Sequence, residues 1–235
     1  MLSMLRCDLA CLTGVARSNF IVALFVALVF AASIGAPAAL AATMVTTCLS
    51  VMNNLMAIDE QNAWQTYRLA LPLSRVQVVR GRYLSGIISI VAGLLIGALA
   101  VAAVIGVMQV LPGERAAFYG LDEVLTLPPE DYLMCAAVGL CVSLVGLAVA
   151  LPLDFRLGYT AVTRYIPLAF AALFVLTVIV LDQFQIDSAD ISSIAALLSD
   201  PATLGLIGLV AFLVAAALYA LSCALSIRLY KAREL

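Results

Sequence analysis

The side chains that most often perform chemistry are scarce in this sequence. Its 235 residues include no histidine and a single lysine, Lys231. Without histidine the chain cannot build a Ser-His-Asp triad, a histidine-ligated metal site or a histidine proton relay. The G-x-x-x-x-G-K-[ST] loop that cradles nucleotide phosphates is also missing from the sequence. We therefore expect no catalytic residues, no bound cofactor and no enzyme activity in this chain.

The cysteines predict no metal site. Six of them are scattered along the chain, most in apolar runs where a thiol behaves as a small hydrophobic group. Cys7 and Cys11 are four residues apart, but no second pair and no histidine completes a tetrahedral zinc site. We expect neither metal ligands nor disulfide bonds.

Charged residues are also scarce in this sequence. The chain has 12 Lys+Arg and 14 Asp+Glu, a net charge of −2, and 65% of its residues are hydrophobic. An ordinary soluble domain has roughly 45–50% apolar residues. So few charges cannot cover a soluble globule of this length, so the bilayer must solvate most of the chain. The near-neutral balance gives no basic patch large enough for nucleic acid, so the expected partner is membrane lipid and not nucleic acid.

Six apolar stretches predict the fold class, an all-α polytopic membrane protein whose single domain covers 1–235. Each stretch approaches the ~20 residues that a helix needs to cross the hydrocarbon core, where only helices satisfy continuous apolar backbone. Gly35-Ala36-Pro37 predicts a tight hairpin, and Pro128-Pro129 and Asp200-Pro201 predict helix starts. The predicted spans are 20–36, 38–56, 84–111, 132–151, 165–181 and 202–227.

The cations predict the orientation. Eleven of them lie in the N-terminal arm, 57–83, 152–164 and the tail, whereas only Arg115 lies in the opposite loops. This positive-inside bias places both termini in the cytoplasm. The segment from Arg17 to Ala41 also has the pattern of a cleavable signal peptide, although cleavage would shorten the second span to about 15 residues.

The cytoplasmic segment 57–83 has the most informative pattern. Residues 59–71 have the apolar spacing of a short amphipathic helix, with Trp64 on the apolar side. Pro72 ends this predicted helix. Ser74 and Gln77 then match a capping box at the start of the third predicted span. Such a short helix lies either in the lipid headgroup zone or against a partner protein.

Polar residues form a stripe along one face of the second predicted span. This face either lines a translocation path or supplies hydrogen bonds between helices. Gly93-x-x-x-Gly97 and Gly139-x-x-x-Ser143 are small-residue pairs that let helix backbones approach closely. The stripe consists of Thr43, Thr46, Thr47, Ser50, Asn53 and Asn54.

The predicted spans carry their ionisable residues only at their edges. A secondary transporter usually needs a buried acid or base to couple an ion, so the energy source is expected outside this chain. The outer segment 183–200 is too polar to span and fits either a re-entrant helix on the interface or a plain acidic loop.

The pattern of segment 57–83 resembles the first cytoplasmic loop of bacterial ABC-2 type permeases, particularly the small six-helix permeases of bacitracin, lantibiotic and peptide exporters. Leu151-Pro152-Leu153, the stretch from Phe155 to Tyr159 and the tail from Ser226 fit the same family. The motifs that carry the resemblance are Asp59-Glu60-x-x-x-Trp64, Leu71-Pro72-Leu73-Ser74-Arg75 and Val78-Val79-Arg80-Gly81-Arg82-Tyr83-Leu84.

The resemblance implies a permease subunit in the bacterial plasma membrane. It would pair with a second permease, identical or not, and export a peptide or an amphipathic, lipid-like substrate. A separate ATPase subunit would bind ATP and Mg²⁺ and dock on two segments. The implied ATPase-coupling residues are Asp59, Glu60, Trp64, Tyr67, Arg68, Pro72, Ser74, Arg75, Arg80 and Arg82. The implied second cytoplasmic contact consists of Asp154, Arg156 and Arg164.

One alternative belongs to a different functional class. A non-transporting membrane anchor or assembly factor could recruit a cytoplasmic partner through the same segment.

Overall fold

A computed structural model of the chain describes residues 2–61, 74–110, 129–158 and 201–232. Six helices make up nearly all of these residues. Their bounds are Leu2–Thr13 (α1), Ala16–Ser33 (α2), Ala36–Gln61 (α3), Arg75–Val110 (α4), Pro129–Leu157 (α5) and Pro201–Ala232 (α6).

The predicted fold class is confirmed: the chain is an all-α polytopic membrane protein, and the described residues contain six helices. Four of them, α3 to α6, are long and apolar enough to cross a membrane. A fifth span is counted if α1 and α2, which are bent by 74° at their junction, form one broken span. The predicted span 165–181 lies outside the described residues.

The hairpin predicted at Gly35 is present. α2 ends at Ser33, and the N–H groups of Ile34 and Gly35 both donate to the Phe30 carbonyl, at 3.0 and 3.1 Å. Gly35 has a φ of 127°, a conformation that residues with a Cβ rarely adopt, so glycine lets α3 begin at Ala36.

Two predicted helix boundaries are corrected by the structure. Asp59 and Glu60 belong to the last turn of α3 and do not begin a separate helix, because no proline or glycine interrupts the chain before Gln61. The rest of the predicted amphipathic helix lies outside the described residues. α5 continues past Pro152 to Leu157, so Asp154 and Arg156 are helical where a loop was expected.

α3 lies at the centre of the bundle and packs against α2, α4 and α5, while α6 packs mainly against α5. The small residues predicted for close packing are at these contacts. A Cβ on Gly93 would lie 2.8 Å from the Met44 Cα, and one on Gly139 would lie 2.6 Å from the Ala41 Cα. Only glycine allows α4 and α5 to approach α3 so closely.

The outer faces of the bundle are strongly apolar. Phe25 on α2, Leu95 on α4 and Leu221 on α6 are each at least 60% exposed. Exposed apolar side chains in this number are typical of surfaces that lipid covers. α1 was not predicted as a helix, yet Met4 and Asp8, one turn apart, are buried against the rest of the bundle.

Candidate functional site

Four helix ends meet at one end of the bundle, called here the charged end. It consists of the C-terminal turns of α3, α5 and α6 and the first three turns of α4, together with α1. Charged side chains that would be costly in the lipid-exposed middle gather at this end. It is also the end that carries the sequence segment 62–73, which connects α3 to α4.

Arg82 is the centre of the charged end. Its side chain is completely buried, although arginine is rarely buried without partners. Its Nη2 donates to the Asp59 carboxylate of α3, and its Nη1 lies 3.1 Å from Oδ1 of Asp8 on α1. The hydroxyl of Ser85 donates to the other Asp8 oxygen at 2.9 Å. One guanidinium therefore joins α1, α3 and α4.

A third buried carboxylate belongs to the same cluster. Asp154, near the end of α5, is only 5% exposed and lies within electrostatic reach of Arg82 and Glu60. Its Oδ1 atom makes no hydrogen bond. Breaking a buried ion pair by removing one partner typically costs about 3–5 kcal/mol, a large fraction of the roughly 5–15 kcal/mol by which folded proteins are stable. The cluster thus contributes strongly to the position of these helix ends.

A chain of hydroxyl groups lies next to the ion cluster and compensates for a proline. Pro152 has no N–H, so the Ala148 carbonyl of α5 lacks its helical partner. Ser222 of α6 donates to that carbonyl at 2.7 Å. Because Ser222 has one proton, the Tyr83 hydroxyl must donate to Ser222, and Ser226 must donate to Tyr83. The chain connects α4, α5 and α6.

The start of α4 is fixed by two further sets of contacts. The predicted capping box is present: the Ser74 N–H donates to the Gln77 side chain at 3.2 Å, and the Gln77 N–H donates to the Ser74 hydroxyl at 3.3 Å. Arg75 then donates to the carbonyls of Tyr230 and Lys231 in the last turn of α6. A cation at these carbonyls also suits the negative end of the helix dipole.

The residues predicted to contact an ATPase are thus divided between the interior and the surface. Asp59, Arg82 and Asp154 are buried, and Arg75 is half-buried against α6. Glu60, Ser74, Arg80 and Arg156 are exposed. The remaining predicted contact residues, Trp64, Tyr67, Arg68, Pro72 and Arg164, lie outside the described residues.

The polar stripe on α3 makes mostly local contacts. Thr43 and Thr46 donate to carbonyls one turn earlier in their own helix. Ser50 and Asn54 both donate to Oδ1 of Asn19 on α2, at 2.8 and 2.9 Å. These two are hydrogen bonds between helices, one of the two roles expected for the stripe. Thr47 is buried without a hydrogen bond, and Asn53 is exposed.

Several residues of the charged end were missed by the sequence reasoning. Asp8 is an isolated acid four residues from Met4, and this spacing is the signal that both face the bundle. Ser222 and Ser226 are also one turn apart, on the face of α6 that meets Tyr83. Pro152 implied an unpaired carbonyl at Ala148, but no sequence feature identifies the hydroxyl that pairs with it.

The chemistry available at the charged end is binding and positioning. In the described part of the chain, no group of three or more carboxylate, thiol or imidazole side chains could hold a metal ion. The buried Arg82 pairs with Asp8 and Asp59, and the exposed Glu60 and Ser74 flank segment 62–73 in the sequence.

These features define a class: a multi-pass membrane protein whose apolar helices carry a cluster of buried charged groups at one end. Comparison with known families defines it further. The model of a family described as ABC-2 family transporter protein matches residues 3–231. The chain belongs to this family, as the motifs between Asp59 and Leu84 predicted, and membership implies the membrane-spanning permease subunit of an ABC transporter. Neither a curated protein nor a solved structure matches the chain.

Proposed function

We propose that this chain is the permease of an ABC exporter and moves a peptide or an amphipathic, lipid-like substrate outward. The family match over residues 3–231 carries the proposal. A separate ATPase subunit, which binds ATP and Mg²⁺, supplies the energy. The scarcity of nucleotide-binding and ion-coupling residues in the sequence supports an external energy source.

The geometry of the charged end supports docking of the ATPase around segment 62–73. Both ends of this segment adjoin fixed positions: Asp59 is bound to Arg82 on one side, and Arg75 is bound to the end of α6 on the other. A push on a segment whose ends are anchored in this way moves helices, whereas a push on a loosely attached loop moves only the loop.

The buried and exposed residues of the charged end have different roles in this proposal. Asp59 and Arg82 are positioning residues, because their side chains are inside the bundle. Glu60, Arg80 and Arg156 are exposed and form the contact surface on α3, α4 and α5. Segment 154–164 would provide the smaller second contact, through Arg156 and Arg164.

We further propose that two permeases pair in the bacterial plasma membrane. The broad apolar outer faces of α2, α4 and α6 suit both lipid and a second helical bundle. Pairing of two chains would place a substrate path between them, and the partner is either a second copy or a related permease.

The test is reconstitution with the ATPase encoded beside this chain. We expect the two subunits to copurify, and the ATPase rate in nanodiscs to depend on the permease. The variant Trp64→Ala Arg68→Glu should lose both assembly and stimulation, since it changes the predicted docking segment. Arg115→Glu is the matched control: it reverses an arginine predicted on the opposite side of the membrane and should have no effect on either.

Two outcomes would contradict the proposal. If the double variant assembles and hydrolyses ATP like the original chain, docking at segment 62–73 is wrong. If the assembled complex hydrolyses ATP at a rate that no peptide or lipid-like compound changes, and proteoliposomes accumulate none of them, the chain acts as a membrane anchor or assembly factor.

A further inference from the structure

Arg82 has hydrogen-bonding capacity that its present partners do not use. A guanidinium has five N–H donors in a fixed planar arrangement. Nη2 donates to Asp59, but Nε makes no hydrogen bond, and Nη1 contacts Asp8 only as an ion pair. The side chain is fully buried, so water does not supply the missing partners easily. A buried charged group with unmade hydrogen bonds is unfavourable, and this favours any arrangement that makes them.

Asp154 lacks a hydrogen-bond donor, whereas Arg82 lacks acceptors. Its Oδ1 is a buried acceptor without a hydrogen bond, and Arg82 is the cation that acts on it. Arg82 and Asp154 lie on different helices, α4 and α5. Arg82 therefore has unused donors and Asp154 has an unused acceptor of opposite charge, and both side chains are buried at the charged end. A movement of one helix end that brought these atoms within hydrogen-bond distance would pair them.

The tip of α5, residues 153–157, is attached in a way that permits such a movement. Pro152 removes a main-chain hydrogen bond immediately before the tip, and proline inside a helix is a common position for a bend. The freed Ala148 carbonyl is held by the Ser222 side chain. After the tip, Gly158 ends the helix with a φ of 85° and donates to the Asp154 carbonyl at 3.0 Å.

We propose that Arg82 exchanges between two sets of carboxylates. In the arrangement described above it binds Asp59 and Asp8, and in the second it binds Asp154 through Nε and Nη1. The second arrangement draws the tip of α5 toward α4 and removes the Asp59–Arg82 ion pair between α3 and α4. The role of this exchange in transport rests on the proposed function.

The exchange reaches both ends of segment 62–73. Release of Asp59 from Arg82 removes the ion pair that joins the last turn of α3, which leads into the segment, to α4. Movement of the tip also shifts Phe155, whose ring packs edge-on against Tyr230 with centroids 5.3 Å apart. Tyr230 in turn provides a carbonyl for Arg75, the first residue of α4. Glu60, which lies near Asp154 and Gly158, repels the Asp154 carboxylate and favours its transfer to Arg82.

A double-mutant comparison on the purified full chain tests the exchange. Asp59→Asn alone should lower the melting temperature only slightly, because Arg82 then forms an ion pair with Asp154. Asp59→Asn with Asp154→Asn removes the present partner and its proposed replacement and leaves Arg82 with Asp8 alone, so the drop should exceed the sum of the single drops by about 4 °C or more. Asp59→Asn with Glu130→Gln is the control, since Glu130 is exposed at the far end of α5, and its effects should add. Additive effects for the Asp154 pair would overturn the proposal.

A distance measurement needs only the single variants. Spin labels replace the exposed Arg80 and Arg156 in a chain whose six native cysteines have been substituted. Asp59→Asn should move the distance distribution toward shorter values, and Asp154→Asn should remove the shorter population. Identical distributions in both variants would overturn the exchange. The ATPase arm uses the unlabelled chain, because Arg80 and Arg156 belong to the proposed contact surface: if the exchange occurs in the chain alone but the unlabelled chain neither assembles with the ATPase nor changes its rate, the proposed function fails and the exchange stands.

Discussion

The Arg75 guanidinium donates to the main-chain carbonyl of Tyr230 at 3.3 Å, which attaches the first residue of α4 to the last turn of α6. A second bond, to the Lys231 carbonyl at 3.1 Å, strengthens the attachment. The two helices are adjacent in the bundle, although about 155 residues of sequence separate these positions. The start of α4 is therefore held by tertiary contacts as well as by its own capping box.

Arg75→Ala should lower the free energy of unfolding by about 1–2 kcal/mol, because two hydrogen bonds from a charged donor to the end of α6 are lost at a partly exposed position. Arg80→Ala, which removes an exposed arginine from the same helix, should change stability by less than about 0.5 kcal/mol. Thermal unfolding of the purified chain in detergent measures both. Equal melting temperatures for the two variants would show that the Arg75 contacts contribute nothing.

The close contacts of α3 predict which glycines accept a methyl group. Gly93→Ala and Gly139→Ala should each destabilise the bundle by about 1–3 kcal/mol, since the added Cβ would meet main-chain atoms at under 3 Å. Gly208→Ala should be neutral or slightly stabilising, because no atom of the described residues lies within 4 Å of its Cβ position. Expression level and melting temperature report the difference. A Gly208→Ala variant as unstable as the other two would contradict this explanation.

The sequence predicted most of the features that depend on local chemistry. Apolar length located α2 to α6 but not α1, and proline and glycine located the ends at Gly35 and Pro129. The capping box at Ser74 was also correct, because its two partners are three residues apart. These features follow from spacing along the chain, which any single sequence displays.

The sequence did not predict which charged residues are buried. Arg82 was predicted, with Arg75 and Arg80, to contact an ATPase, yet its side chain lies inside the bundle. Its burial depends on Asp8 and Asp59, which are 74 and 23 residues away. Such pairing is decided by how the helices pack, and one sequence carries no direct record of it.

The pairing of Ser222 with the carbonyl freed by Pro152 predicts a non-additive pair of substitutions. Ser222→Ala should cost about 0.6–1.7 kcal/mol, as do other hydrogen bonds between membrane helices. In a Pro152→Ala background the same change should cost less, because the restored N–H pairs with the Ala148 carbonyl. Ser226→Ala is the control, since Ser226 contacts Tyr83 but not Ala148. Unfolding midpoints of these variants measure the costs. If Ser222→Ala costs as much in the Pro152→Ala background as in the original chain, the pairing of Ser222 with the Ala148 carbonyl is wrong.

The end of α5 depends on a backbone conformation that glycine adopts most easily. Gly158 has a φ of 85°, and its N–H closes the last turn by donating to the Asp154 carbonyl. Gly158→Ala should cost about 1 kcal/mol, which corresponds to a drop of about 2–4 °C in melting temperature. Gly158→Asn should cost less, because asparagine tolerates this region better than alanine does.

Gly146→Ala is a control within the same helix, as its φ is ordinary and its nearest neighbour is a flexible leucine side chain at 3.7 Å. The order of melting temperatures should be original chain, Gly158→Asn and then Gly158→Ala. If alanine equals asparagine, backbone conformation does not determine where α5 ends, and the position of Asp154 must be fixed by its contacts with the bundle alone.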